Sequence, residues 1–155
     1  MRPKSTVFAE GARVPARYTC DGENLSPPLS WSGVPQEALS LVLLCDDPDA
    51  PLGKWHHWCV YDIPPSRASL AEGVPPTHAA GDFKQAINDF RHPGYGGPCP
   101  PPSHGPHRYD FRLLALSVAE LSVRHHATCK EVEAEARKHL IAETKLCGMY
   151  GRKSD

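Results

Sequence analysis

The chain has 155 residues, room for one domain (1–155) around a single sizeable core, and its formal net charge of −1 gives no electrostatic case for nucleic acid or an anionic membrane surface. No apolar run approaches the ~20 residues that span a bilayer. The N-terminal Met1-Arg2-Pro3-Lys4-Ser5-Thr6 leads into no apolar stretch of signal-peptide type, so a cytoplasmic location is expected.

Seventeen prolines and twelve glycines punctuate the sequence every few residues and argue against a helical bundle. The cysteines, at 20, 45, 59, 99, 129 and 147, form no C-x-x-C pair, which indicates neither a zinc ribbon nor a redox motif. Cys45 and Cys59 lie in apolar runs where a thiol behaves as a small hydrophobe, and reduced cysteines are the expectation throughout.

In chain order, β-leaning segments around Val7-Phe8 and Val14 precede a turn over Tyr18–Asn24 with an Asp21-Gly22 signal. Ser26-Pro27-Pro28-Leu29-Ser30-Trp31 is extended, because each Xaa-Pro step favours β or polyproline geometry. Leu39 to Leu44 is apolar on both faces and reads as a central, buried strand. It runs into Cys45-Asp46-Asp47-Pro48-Asp49-Ala50-Pro51, where the prolines must end it and deliver carboxylates at the rim of a sheet. Asp is also common in ordinary turns, so this spacing alone leaves site and turn both open.

Lys54 to Ile63 is a second strand; period two puts Trp55, His57, Cys59 and Tyr61 on one face and His56, Trp58 and Val60 on the other. Pro64-Pro65 closes it, and 66–90 is turn-rich, with loop and short strand pieces from Ala79 to Phe90. Phe90 to Pro106 is dense in Gly and Pro and reads as a rigid surface loop forming a pocket wall, its glycines placed for close approach. His107 to Leu116 begins in strict alternation, with His107, Tyr109, Phe111 and Leu113 on one face. Thr128-Cys129-Lys130-Glu131 forms a capping box that predicts a helix to about Lys145, with Val132, Ala136, Leu140 and Ile141 on one stripe and Gly148 as its C-terminal cap. His56 reads as structural, His125-His126 as exposed, and Trp31 and Trp58 as core.

Three strand ends thus offer polar groups in an apolar context: Asp47 with Asp49, His57, and His107 with Tyr109. Asp47-Pro48-Asp49-Ala50-Pro51, Trp55-His56-His57-Trp58, Gly94-Tyr95-Gly96-Gly97-Pro98 through Pro102, and Gly105-Pro106-His107-Arg108-Tyr109 stand in the order and spacing of one family. The chain resembles the phosphatidylethanolamine-binding protein (PEBP) family, in its compact bacterial, Raf-kinase-inhibitor-like branch; Cys20 through Trp31 matches that branch as well. The resemblance covers most of the chain.

It implies a mainly β (α+β) fold, a large central antiparallel sheet packed on a smaller one with few peripheral helices. It also implies a small pocket for a phosphate or carboxylate group. Carried over residue by residue, the ligand-binding set is Asp47, Asp49, Trp55, His57, Pro101, Pro102, His107 and Tyr109, with no catalytic residue, metal or cofactor. The implied partners are a phospholipid headgroup, a phosphorylated small molecule or a phospho-side chain, with a protein kinase or protease as the regulated protein and a homodimer as the assembly. Two departures stand out. Only Leu52-Gly53-Lys54 separates the Asp motif from the His-His strand, and the tail after Ile141 is short, which weakens any role tied to a C-terminal helix.

Carboxylates in an anion site repel their ligand unless something compensates. A protonated His57 or His107 held by an Asp would supply that charge, so phosphate-type ligands are expected to bind more tightly near pH 6 than pH 8. The alternative is a hydrolase or metal-dependent enzyme using the same Asp, His and Tyr groups. No H-E-x-x-H, G-x-S-x-G or Walker loop supports it. A third reading, pure protein interaction through a dimer surface, would leave the pocket without a role.

Overall fold

A computed structural model describes residues 1–152, and its strands form two antiparallel sheets. In chain order they are β1 (Leu29–Ser30), β2 (Ser40–Asp47), β3 (Trp55–Ile63), β4 (Ser69–Leu70), β5 (Ala79–Ala80), β6 (Phe83–Gln85), β7 (His107–Leu116) and β8 (Leu140–Tyr150), with α1 (Cys129–Arg137) between the last two. The large sheet has the order β5-β6-β3-β2-β7-β8; the small one pairs β1 with β4. β2 is buried along its whole length because β3 and β7 flank it and both its faces are covered.

Leu41, Leu43, Trp58, Val60, Phe111 and Leu113 pack on one face beneath Leu29, Trp31 and Leu70 of the small-sheet region. Val42, Leu44, Cys59, Tyr61, Leu114 and Leu116 pack on the other beneath Val132 and Ala136 of α1. The alternation of β2 and β7 therefore feeds two cores, one per face.

Strict alternation fails in β3. Cys45 opposes Trp58 and Asp46 opposes His56, so His57 is an extra residue with no partner on β2. This bulge moves Cys59 and Tyr61 to the α1 face, and Trp58 and Val60 to the small-sheet face. A second register step lies between Leu41/Ile63 and Leu43/Val60, where Asp62 adopts φ 54°.

The C-terminal expectation is corrected. The capping box at Thr128 and Glu131 is present, but α1 ends at Arg137, and Leu140–Tyr150 is an edge strand paired with β7 from His107↔Tyr150 to Leu116↔Leu140. Ala, Glu and Lys favour helix locally, yet the open edge of β7 offers a full ladder of hydrogen bonds, and tertiary pairing overrides propensity. Leu140 and Ile141 consequently stand exposed instead of joining a helical stripe. Gly148 caps nothing. It lies within β8, where a Cβ would sit 2.5 Å from Val14 Cγ2 and 2.9 Å from Phe8 Cε2.

The expectation of reduced cysteines is corrected as well: Cys20 and Cys99 form a disulfide across 79 positions, their Cα atoms 5.4 Å apart. Such a pairing is set by the fold and leaves no mark in sequence spacing. Cys45, Cys59 and Cys129 are free and buried; Cys147 is free and half-buried. No described helix is long and apolar enough to cross a membrane.

Because the contacts at Gly148 come from core side chains, Gly148→Ala is expected to destabilise by about 1–3 kcal/mol with an unchanged m value in urea unfolding. A variant as stable as the native protein would show that Phe8 and Val14 yield without strain.

Candidate functional site

One end of the large sheet gathers the polar groups. Asp47 closes β2 opposite Trp55 of β3, while His107 and Tyr109 open β7 on its other side. The bulge turns His57 to the same end. These five residues line a cavity of about 190 Å³, together with Ala50 and Pro51 of the β2–β3 turn, Phe90, and Cys99, Pro100 and Pro101 of the Pro-rich loop. That volume suits a phosphate-sized group or a small headgroup and is below the range usual for drug-sized ligands.

Two of the sequence-derived residues stand outside this lining. Asp49 turns to Arg108, accepting its backbone N–H at 2.8 Å and its guanidinium at 2.8–3.3 Å, which holds the carboxyl down at about 2. Pro102 begins a short 3₁₀ turn, Pro102–His104, beyond the cavity.

Within the lining, Asp47 spends both oxygens locally. Oδ1 accepts the Asp49 N–H at 2.7 Å and Oδ2 lies 2.7 Å from His107 Nδ1. His57 Nδ1 lies 2.5 Å from the Gly96 carbonyl, which can only accept, so Nδ1 carries the proton and Nε2 is the nitrogen left for a ligand. Burial pushes the His57 pKa below its ordinary value, partly offset by that carbonyl. Burial first, then Asp47, pushes the Tyr109 phenol up, so it stays a hydroxyl donor. Among the described residues, the lining contains no Lys or Arg.

Phe90 was missed by sequence reasoning, which left its segment as loop. Its ring stands edge-on to both Trp55 and His57, with centroids 5.4 and 5.3 Å away. Asn88 fixes it, accepting the Phe90 N–H at 2.9 Å while its own amide donates to Gly94 O at 2.8 Å. A Cβ at Gly96 would overlap the Phe90 ring, so this glycine is required by close approach. An aromatic beside Asn-Asp and upstream of a Gly-Gly step is the only sequence signal, and it does not specify the contact.

Behind the cavity, on the α1 face, Asp46 opposes Asp110 and His56. Asp46 is fully buried and, among the described residues, neither of its oxygens has a hydrogen-bond partner, although Arg112 Nε is within ion-pair range at 3.3 Å. Burial lifts its pKa to about 6, against the pull of Arg112 and Lys54. His56 lies 4.0 Å from Glu133 and is held below its ordinary pKa by burial. Elsewhere, His78, His125 and His126 bring their rings together, with centroids 3.9–5.5 Å apart. Among the described residues, no group of three or more His, Cys, Asp or Glu side chains is arranged to hold a metal ion.

Two antiparallel sheets with a small cavity at one sheet end, lined by Asp47, His57, His107 and Tyr109, define a class of β-rich proteins. The chain belongs to the phosphatidylethanolamine-binding protein family, whose model matches residues 4–151. It is 48% identical over 153 residues to a UPF0098 protein of Methanothermobacter thermautotrophicus, covering 98% of this chain and 99% of that one. A UPF0098 protein of Aquifex aeolicus is 45% identical over 148 residues, covering 96% and 86%. Among solved structures, E. coli YbcL, described as a member of the mammalian PEBP family, superposes with a TM-score of 0.91 at 30% identity, covering 98% of both chains. The PEBP homologue CT736 of Chlamydia trachomatis superposes at 0.86 with 39% identity, covering 98% and 97%.

The unsatisfied Asp46 gives a stability prediction. Its folded pKa of about 6 lies above the ordinary carboxyl value, so the folded state holds this proton more tightly; that stabilisation is full below about pH 4 and is lost as pH rises through 6. Asp46→Asn should therefore gain on the native protein by roughly 2 kcal/mol between pH 4.5 and pH 8. Urea unfolding of both proteins at the two pH values measures it, and a difference that does not change with pH would show that Asp46 is not the titrating group.

Proposed function

We propose that this protein binds a small phosphate- or carboxylate-bearing ligand in the cavity at the end of the large sheet. The observation that carries this reading is the Asp47–His107 pair, 2.7 Å apart and buried, set beside His57 Nε2 and the Tyr109 hydroxyl around one small cavity. With no Lys or Arg among the described residues of the lining, an anion is held by hydrogen-bond donors and not by fixed positive charge. His107 keeps its contact to Asp47 through Nδ1 and turns Nε2 to the ligand. Neutral His57 accepts at Nε2, which favours a ligand that brings its own proton. A phosphomonoester monoanion is such a ligand, since its second proton leaves near pH 6.

The rim of the cavity is apolar and open. Leu52 at the tip of the β2–β3 turn is fully exposed, and Trp55 and Phe90 are each more than a third exposed. That surface beside an occupied pocket supports extending the reading to modulation of a protein partner, a kinase or a protease, by the ligand-bound form.

Calorimetric titration with O-phosphorylethanolamine at pH 6 and pH 8 tests the proposal. Affinity is expected to be about tenfold higher at pH 6, one linked proton setting a ceiling of about a hundredfold over two pH units. His57→Ala and Tyr109→Phe should each weaken binding by about 1–2 kcal/mol, the cost of a lost hydrogen bond to a charged group. Equal affinity for native and both variants would place the ligand elsewhere, and release of inorganic phosphate during the titration would move the reading to a hydrolase.

A further inference from the structure

The Pro-rich wall of the cavity is held in an unusual way. Its two ends are fixed: the Cys20 N–H donates to Pro98 O at 3.1 Å, the Gly97 N–H to Asn24 Oδ1 at 2.8 Å, and His107 enters the β7–β8 ladder. Between them, no hydrogen bond among the described residues joins 99–106 to the rest of the chain. Four of those eight residues are proline and have no N–H to give, and the His104 N–H closes an internal turn to Pro101 O. The covalent tie in this interval is Cys20–Cys99. Cys99 itself lines the cavity and is exposed to solvent.

We propose that the Cys20–Cys99 disulfide is a redox-modifiable site that anchors the cavity's outer wall, and that a dithiol reductant releases this wall. Cys99 is the exposed half of the bridge and Cys20 the half-buried one, which makes Cys99 Sγ the sulfur for a reductant to attack. A thiolate of the dithiol attacks it, forming a mixed disulfide and expelling the Cys20 thiolate, which takes up a proton. The second thiol of the reductant then displaces Cys99 as a thiol and closes the reductant's own disulfide. Two electrons and two protons pass to the protein. Among the described residues, freed 99–106 then has its ends, the packing of Pro100 and Pro106 and the His104 ring against His107 to position it, and no hydrogen bond to the rest of the chain. The sheet-borne groups Asp47, His57, His107 and Tyr109 do not depend on the bridge, because strand pairing and the Asp47 and Gly96 contacts hold them. Reduction therefore loosens the wall and leaves the floor intact. Its effect on ligand affinity rests on the pocket reading above; the loosening itself does not.

Two readouts keep these apart. Hydrogen exchange at the His104 amide, the one loop amide held by a hydrogen bond among the described residues, with β7 amides as the internal reference, is followed with and without dithiothreitol in the native protein and in the Cys20→Ser/Cys99→Ser double variant. Expected is at least about a tenfold acceleration in the loop on reduction, matched by the double variant without reductant, while β7 protection is unchanged. O-phosphorylethanolamine titration of the same samples is expected to show about a tenfold weaker Kd for the reduced and doubly substituted proteins. Loop exchange that ignores both reductant and substitution overturns the proposal. So does loss of β7 protection on reduction, since the bridge would then hold the whole domain together. An oxidised protein that binds no probe, yet shows the loop acceleration, defeats the pocket reading and leaves the redox site standing.

Discussion

The full burial of β2 is the constraint on which the rest depends. A strand covered on both faces and paired on both edges can carry carboxylates only at its end, and only if something meets them there. The two consecutive acids meet opposite fates because side chains alternate. Asp47 points to the small-sheet side, where the Asp49 N–H and His107 satisfy both its oxygens. Asp46 points to the α1 side, finds only a poorly aligned Arg112, and keeps its proton to about pH 6. One register step thus separates a preorganised polar site from a buried liability.

The His57 bulge follows from the same geometry. Without it, Trp58 would be thrown to the α1 side, away from Gln85 Oε1, which accepts its indole N–H at 2.8 Å, and from the Tyr95 ring. The extra residue lets the strand serve the core up to Trp58 and still aim two consecutive odd-numbered residues, Trp55 and His57, at the cavity. Tyr95 in turn donates to Tyr18 O at 2.7 Å, so the core beneath the site is tied to the N-terminal loop that also holds Cys20.

Legibility in the sequence tracked how local each determinant is. The apolar run ending in prolines placed β2 and its rim acids, alternation placed His107 and Tyr109 on one face, and Thr128-x-x-Glu131 placed the start of α1. Trp55 and His57 were read on one face by period two and do reach one cavity, but His57 gets there through a bulge that period two does not contain. Leu140 to about Lys145, the first half of β8, reads as helix because its residues favour helix, and the vacant edge of β7 is a fact about space. The disulfide, the turn of Asp49 to Arg108 and the Phe90 contact to His57 are non-local for the same reason.

The electrostatics of the cavity narrow what it can recognise. Arg108 is the nearest guanidinium in sequence, and Asp49 neutralises it on the outside, bidentate and exposed. The charge that would have made a permanent anion trap is therefore spent at the rim. What remains inside is a carboxylate committed to one imidazole, a second imidazole kept neutral by burial, and a phenol that does not ionise. A site built this way would tell ligands apart by where their protons sit. On the binding reading proposed above, it would discriminate against a fully ionised phosphate, which would add its two charges to Asp47, and favour a singly protonated one, whose hydroxyl would meet the lone pair of His57 and whose other oxygens would meet the Tyr109 hydroxyl. Recognition in this pocket would in that sense be a matter of protonation state before it is a matter of shape.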